Sequence, residues 1–267
     1  MCVEAAPQSY RRLMSVAPLP RPSTLMPSRR ARGQIGIVLL AYLLYSAARW
    51  LTVGDRPSAE AHAQWIVDRE RDFHVAVEWS VQSALTGTPF LWVLNHLYLA
   101  AQLLVVPGAL VFLYLRDRQL YERLRNTILA TWLLSIPVYA AFPVAPPRLA
   151  GIGMVDTITT QTGFSLSSKL TTSFYNELAA VPSLHVGFAV AVGFALAAAL
   201  RHPVAKGIAL LWGPTIALAV VATGNHFIFD IVAGVVVCAL GYSVAVGIDR
   251  VRLRNPYPRL APGLAGA

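Results

Sequence analysis

The sequence predicts an all-α fold, a polytopic membrane protein whose six transmembrane helices form a bundle with an interfacial helix facing outward. Three observations lead there. Of 267 residues, 56% are hydrophobic and only 13% charged, with mean hydropathy +0.55, whereas a soluble domain carries about 25% charged residues. Six stretches approach the roughly 20 apolar residues that a bilayer crossing requires: 34–53, 89–115, 126–143, 184–200, 204–223 and 226–248. Lys and Arg are divided unequally among the segments between them, as the positive-inside rule demands. This composition excludes both a soluble globular protein and a disordered chain.

Residues 1–32 hold five prolines and six arginines without an apolar core. That excludes a cleaved signal peptide and predicts a disordered basic cytoplasmic tail. A membrane domain is expected over 33–249, followed by a cytoplasmic tail over 250–267. The first span is the weakest, because Arg49 interrupts it near its end, where the side chain can snorkel to the interface beside Trp50. Six spans put 16 of the 22 Lys and Arg on one side and leave Arg49, Arg56, Arg69, Arg71, Arg148 and Lys169 on the other. Both termini are then cytoplasmic, in what is expected to be the plasma membrane, and segments 54–88, 144–183 and 223–226 face outward. Within the first of these, Trp65, Ile66, Phe73, Val77 and Trp79 are interleaved with Asp68, Arg69, Glu70, Arg71, Asp72 and Glu78. Over 60–85 this pattern suits an amphipathic helix on the outer surface, with a solvated loop helix as the alternative. No internal repeat supports an inverted-repeat transporter.

The net charge of +9 and pI near 10.0 are explained by basic residues flanking spans. No nucleic-acid motif and no basic–aromatic interleaving accompany them, so nucleic acid is not an expected partner. Cys2 and Cys238 have neither a pairing partner nor metal-ligand spacing, which removes cysteine chemistry.

Ionisable groups inside or at the mouth of spans are costly and mark function by default. His226 and Asp230 stand four residues apart at the outer start of the sixth span, one turn apart on one helix face. Asp230 can accept the Nδ1 proton of His226, leaving Nε2 free and more basic, as a nucleophilic imidazole requires. His185 opens the fourth span behind Pro182 and Ser183. Ser183 is a natural N-cap there, and the amides of 184–186 with the helix dipole offer a phosphate site. His185, His226 and Asp230 thus share one outward depth. Arg148, behind Pro143, Pro146 and Pro147, presents a fork suited to phosphate, with an ordinary headgroup contact as the alternative. For the histidines, interhelical polar glue and a two-histidine, one-carboxylate metal site remain open, as does a weak Ser183 protease reading. His62, His74, His96 and His202 have ordinary explanations.

The set FPVAPPR at 142–148, NELAAVPSLH at 176–185 and TGNHFIFDIVAG at 223–234 resembles the type 2 phosphatidic acid phosphatase superfamily. It is most similar to the branch containing inositol phosphorylceramide synthases, which Gly153-Met154-Val155-Asp156-Thr157 also resembles. The resemblance implies a six-helix membrane fold and phosphoryl transfer in two steps without metal or other cofactor. It implies His226 as the nucleophile that becomes phosphohistidine, Asp230 as its orienting carboxylate, and His185 as acid and then base. Arg148 is implied as a phosphate contact, with Ser183, Asn176 and Lys169 as further substrate-binding candidates. Partners would be a membrane lipid phosphate and an acceptor, either water or an alcohol such as inositol. A non-catalytic lipid transporter is the alternative of a different class. The chain departs from many superfamily phosphatases in having Ala219-Val220 where they have Ser-Arg, and in lacking a K-x6-R-P motif. The inositol phosphorylceramide branch shares this loss.

Overall fold

The computed structural model describes residues 54–168 and 176–254, together with Gly33, Gln34, Gly36, Ile37, Leu39, Leu40, Leu43 and Leu44. Of the first expected span, only seven residues fall within this set, and all are helical. The tail over 1–32 and Lys169 lie outside the described residues. The chain divides into two units, Met1–Tyr42 and Leu43–Ala267. The motifs at 142–148, 176–185 and 223–234 all belong to the second.

Helices dominate, and the described residues contain no strand, only an isolated parallel bridge between Val144 and Ala179. Helix α1 (Arg56–Asp72) starts at Asp55, whose Oδ2 accepts the Ser58 amide at 3.0 Å. That hydrogen bond holds the Asp55 carboxyl below its usual range. The buried face of α1 is Ala59, Ala63, Ile66, Val67 and Glu70, a helical stripe. The expected single helix over 60–85 is in fact two. Its chain breaks at 73–77, where His74 adopts φ +58°, and resumes as α2 (Glu78–Leu85). Four apolar residues, Phe73, Val75, Ala76 and Val77, and no good helix start fill the gap between Asp72 and Glu78.

Thr88 caps α3 (Pro89–Ala100), which passes through one π-helical turn, Ala101–Val105, into α4 (Val106–Arg116). The 28 residues of Pro89–Arg116 form one apolar segment. Helix α5 (Arg118–Ala141) begins eight residues before the expected 126. Asp117 caps it through Gln119 and Leu120 at 3.0 Å, and its charged first turns are satisfied internally. Arg123 pairs with Asp249 at 2.9 Å, and Arg125 donates to Asn126. A short helix α6 (Thr157–Thr162) follows the 142–156 loop. Helices α7 (Leu184–Ala199), α8 (Pro203–Ala222) and α9 (Ile228–Arg254) then complete the bundle. α9 runs past 250 into the expected tail.

Among the described residues three helices, Pro89–Arg116, Pro203–Ala222 and Ile228–Val251, are long and apolar enough to cross a membrane, and Leu184–Ala199 is a shorter apolar helix. Leu103, Leu104, Val111, Phe194, Leu211 and Val236 stand exposed on the outside. A water-soluble protein would not carry so large an apolar belt; facing lipid, it costs nothing. The chain is an integral membrane protein. The most extensive helix contacts join α7 to α8 and α5 to α9. The starts of α3, α7 and α9 and the ends of α5 and α8 share one end of the bundle, as do α1, α2 and the described segments 142–168 and 176–183.

Candidate active site

At that end, main-chain hydrogen bonds join the three motif segments. The amide of Val144 donates to Leu178 at 2.8 Å, and Ala180 returns one to Val144 at 3.2 Å. The amide of Arg148 donates to the Gly224 carbonyl at 2.9 Å, and that of Ser183 to the Asp230 carbonyl at 3.0 Å. Segments far apart in sequence are thereby held in register. Backbone bonds fix loop positions more firmly than side-chain contacts alone.

Two glycines permit this approach. Gly224 adopts φ +72°, and a Cβ there would meet the Val155 carbonyl at 3.1 Å and Gln82 Nε2 at 3.2 Å. Gly234 lies against the backbone of Ser183, where a Cβ would sit 2.4 Å from the carbonyl oxygen. The N-terminus of α7 can seat on α9 only because that side chain is missing.

His226 donates through Nδ1 to Asp230 Oδ2 at 3.1 Å. The same oxygen accepts the Phe227 amide at 2.9 Å, so the carboxylate is anchored and in turn fixes the imidazole tautomer. Asp230 is wholly buried, and His226 is 7% exposed. The His185 ring lies 6.1 Å from that of His226, centroid to centroid, and stacks on Tyr98 at 4.1 Å. The structure thus brings together the three residues that helix spacing and span counting singled out.

Arg148 is not the interfacial headgroup contact offered as the alternative. Its side chain is 1% exposed. Nη1 donates to Asn225 Oδ1 at 2.6 Å, and Nε lies 3.9 Å from Asp156 Oδ2. Asn225 also donates to Thr223 Oγ1 at 2.9 Å, so Arg148 braces the turn that presents His226. Ser183 is fully buried, and its hydroxyl accepts the Val186 amide at 3.5 Å. It acts as a helix cap, and the protease reading falls. That cap also occupies Val186, one of the three amides expected to face phosphate. Asn176 uses its side-chain oxygen on the Leu178 amide at 3.0 Å, forming a local turn. Among the described residues no three His, Cys, Asp or Glu are placed to hold a metal ion.

Sequence reasoning missed Glu70, Glu78 and Gln82. Glu78 Oε1 accepts the Ile228 amide at 2.9 Å, and Glu70 Oε1 accepts the Phe229 amide at 2.8 Å. With Asp230 on Phe227, three carboxyl groups take three successive amides at the start of α9, where the helix dipole favours negative charge. Burial pushes the Glu70 carboxyl up to about 8, with Glu78 and Asp230 adding to the rise. Gln82 clamps the 155 and 222 segments: Nε2 donates to Val155 and Ala222, and Oε1 accepts from Val155. The signal for Glu70 was present, since it continues the apolar stripe of α1.

Fold and site define the class: an all-helical membrane protein with a His–His–Asp cluster at one end of its bundle. The chain belongs to the PAP2 superfamily, whose family model matches residues 64–244. No curated protein sequence matches it. The crystal structure of Aquifex aeolicus LpxE is similar in fold, with TM-score 0.51 and 17% identity over 64% of this chain and 93% of that one.

Proposed function

We propose that the chain is a metal-independent phosphatase or phosphotransferase acting on a lipid headgroup phosphate through a phosphohistidine. The observation that carries this is the His226–Asp230 hydrogen bond with the His185 ring 6.1 Å away. In this reading the phosphoryl group lies between the two rings, with His226 Nε2 at an attack distance of about 3–3.5 Å.

In the first step His226 Nε2 attacks phosphorus, the bond to the leaving oxygen breaks, and His185 gives that oxygen its proton. Asp230 balances the positive charge growing on the imidazole. In the second, His185 takes a proton from the acceptor, whose oxygen displaces His226 from phosphorus and restores the nucleophile. Arg148 and the amides of Leu184 and His185 supply positive potential for the phosphoryl oxygens, since such transfers depend mainly on electrostatic positioning. Lys169, Asn176 and Ser183 complete the substrate-binding set implied by the resemblance; for Asn176 and Ser183 the role is indirect, through loop and helix-cap geometry.

In this reading six helices span the membrane, both termini are cytoplasmic, and the site faces outward at the plasma membrane. Helices α1 and α2 lie at the outer interface, which their exposed Trp65, Phe73 and Trp79 support. Ala219 and Val220 stand where many superfamily phosphatases have Ser-Arg, which favours the inositol phosphorylceramide-like branch and leaves water and an alcohol such as inositol both open as acceptor. Incubation with ³²P-labelled phosphatidic acid should place label on His226. Adding inositol then separates free phosphate from a new lipid. Full turnover by His226→Ala would remove the mechanism, and binding of the lipid with no turnover by any acceptor would favour a transporter.

A further inference from the structure

We propose that Glu70 and Glu78 are positioning residues for His226, acting as a carboxyl pair that shares one proton and fixes the first turn of α9. The inference rests on His226 being the nucleophile. Both residues come from outside the apolar helices, Glu70 from α1 and Glu78 from α2, and both are buried, at 3% and 4% exposure. Each gives one oxygen to an amide of that turn, Phe229 and Ile228 respectively. The two amides follow directly on Phe227, which is held by the same Asp230 oxygen that orients His226. The turn carrying the nucleophile's anchor is therefore fastened at three successive positions.

The other Glu70 oxygen, Oε2, is buried with no donor among the described residues, and Glu78 lies within hydrogen-bonding reach of Glu70. Two ionised carboxylates cannot meet in a buried site without repulsion. A proton on Glu70 donated to Glu78 satisfies both. The groups facing Glu70 add to this: Glu78 from α2 and Asp230 from α9 are acidic, while the Phe229 amide opposes them. Arg148 from the 142–150 loop is engaged with Asn225 and Asp156. On α1 itself, Arg69 and Arg71 are paired to Asp72 and Asp68 on the exposed face. The Glu70 carboxyl is accordingly held up to about 8 by burial. Above that pH Glu70 becomes anionic and can no longer donate to Glu78, so the link between the two acids that span the turn is lost. The extra charge also repels an anionic headgroup.

The test is the pH dependence of kcat on phosphatidic acid in detergent micelles, with ³²P labelling of His226 followed in parallel. Glu70→Ala should lose about tenfold or more at pH 7, the effect of one buried hydrogen bond removed from an aligned group. Glu70→Gln keeps an acceptor for Phe229 and a permanent donor for Glu78, so it should restore activity to within about threefold. It should also move the alkaline limb of the profile, near pH 8 in the wild type, up by about one unit or more. Glu78→Gln cuts the pair from the other side and should remove the same limb, which keeps the test open if Glu70→Ala does not fold. An alkaline limb unchanged in both amide variants, or Glu70→Gln as impaired as Glu70→Ala, overturns the inference. Absence of label on His226 in a wild type that turns over overturns the nucleophile reading instead, whatever the variants do.

Discussion

The replacement of Gly234 by alanine tests whether close seating of α7 on α9 sets the distance between the two histidines. A Cβ at 234 would lie 2.4 Å from the Ser183 carbonyl oxygen, 3.1 Å from its carbon and 3.2 Å from its nitrogen. All three are backbone atoms and none can rotate away. Restoring ordinary contact requires the helices to separate by about 1 Å, since carbon contacts settle near 3.5 Å. That movement breaks the 3.0 Å bond from the Ser183 amide to Asp230 and carries His185, two residues on, away from His226. Overpacking of this kind costs about 1–3 kcal/mol of stability, whereas a 1 Å misplacement at a reacting centre costs about 10²-fold in rate. The expected variant is therefore folded but nearly inactive. Phosphate release from phosphatidic acid, measured beside the thermal midpoint in the same detergent, reads both. A variant with normal rate and normal midpoint would show that the contact does not position the histidines.

The same geometry sets three further outcomes. Arg148→Ala should lower kcat/KM by about 10²-fold, and Arg148→Lys should recover little of it, because a lysine cannot reproduce the guanidinium fork; equal recovery would refute a geometric role. Gly224→Ala should destabilise the protein by about 1–2 kcal/mol, since L residues are strained at φ +72°, as denaturant or thermal unfolding would read. Stability should also depend on pH through Glu70. The unfolded chain releases that proton near 4.5 and the folded protein near 8, so the stabilisation is complete below 4.5 and is lost as pH rises through 8. The slope between approaches about 1.4 kcal/mol per pH unit. Glu70→Gln should flatten the midpoint across this window, and a flat wild-type curve would refute the assignment.

Helix periodicity and ion cost made much of this site legible in the sequence. His226 and Asp230 are one turn apart on a helix, so their pairing follows from local geometry, and Ser183 caps as its position before an apolar run dictates. The meeting of His185 with His226 followed from counting spans, because helices that start on the same side begin at the same depth. What was hidden depends on contacts across the chain. Glu70 and Glu78 meet their amide partners 159 and 150 residues away; the apolar stripe of α1 marks Glu70 as turned inward, but nothing in the sequence names the amides that the two acids reach. Arg148 was legible as a fork suited to phosphate or as a headgroup contact, but not as the brace of the His226 turn, because its partner Asn225 lies 77 residues away. The break at His74 leaves no mark in the sequence, because hydrophobic spacing continues through it.

The wide turn at Ala101–Val105 sets a phase difference within one long helix. On one side of it Tyr98 stacks against His185, and on the other Leu113 enters the core with Leu124 and Phe188. A π-turn accommodates one residue more than a regular turn, and each residue of an α-helix advances about 100° and 1.5 Å. Winding the same residues as uniform α-helix would swing its two halves by that angle, so that only one could keep its neighbour. An apparent irregularity in the middle of the long helix is thus a gear offset between the histidine cluster and the packed base.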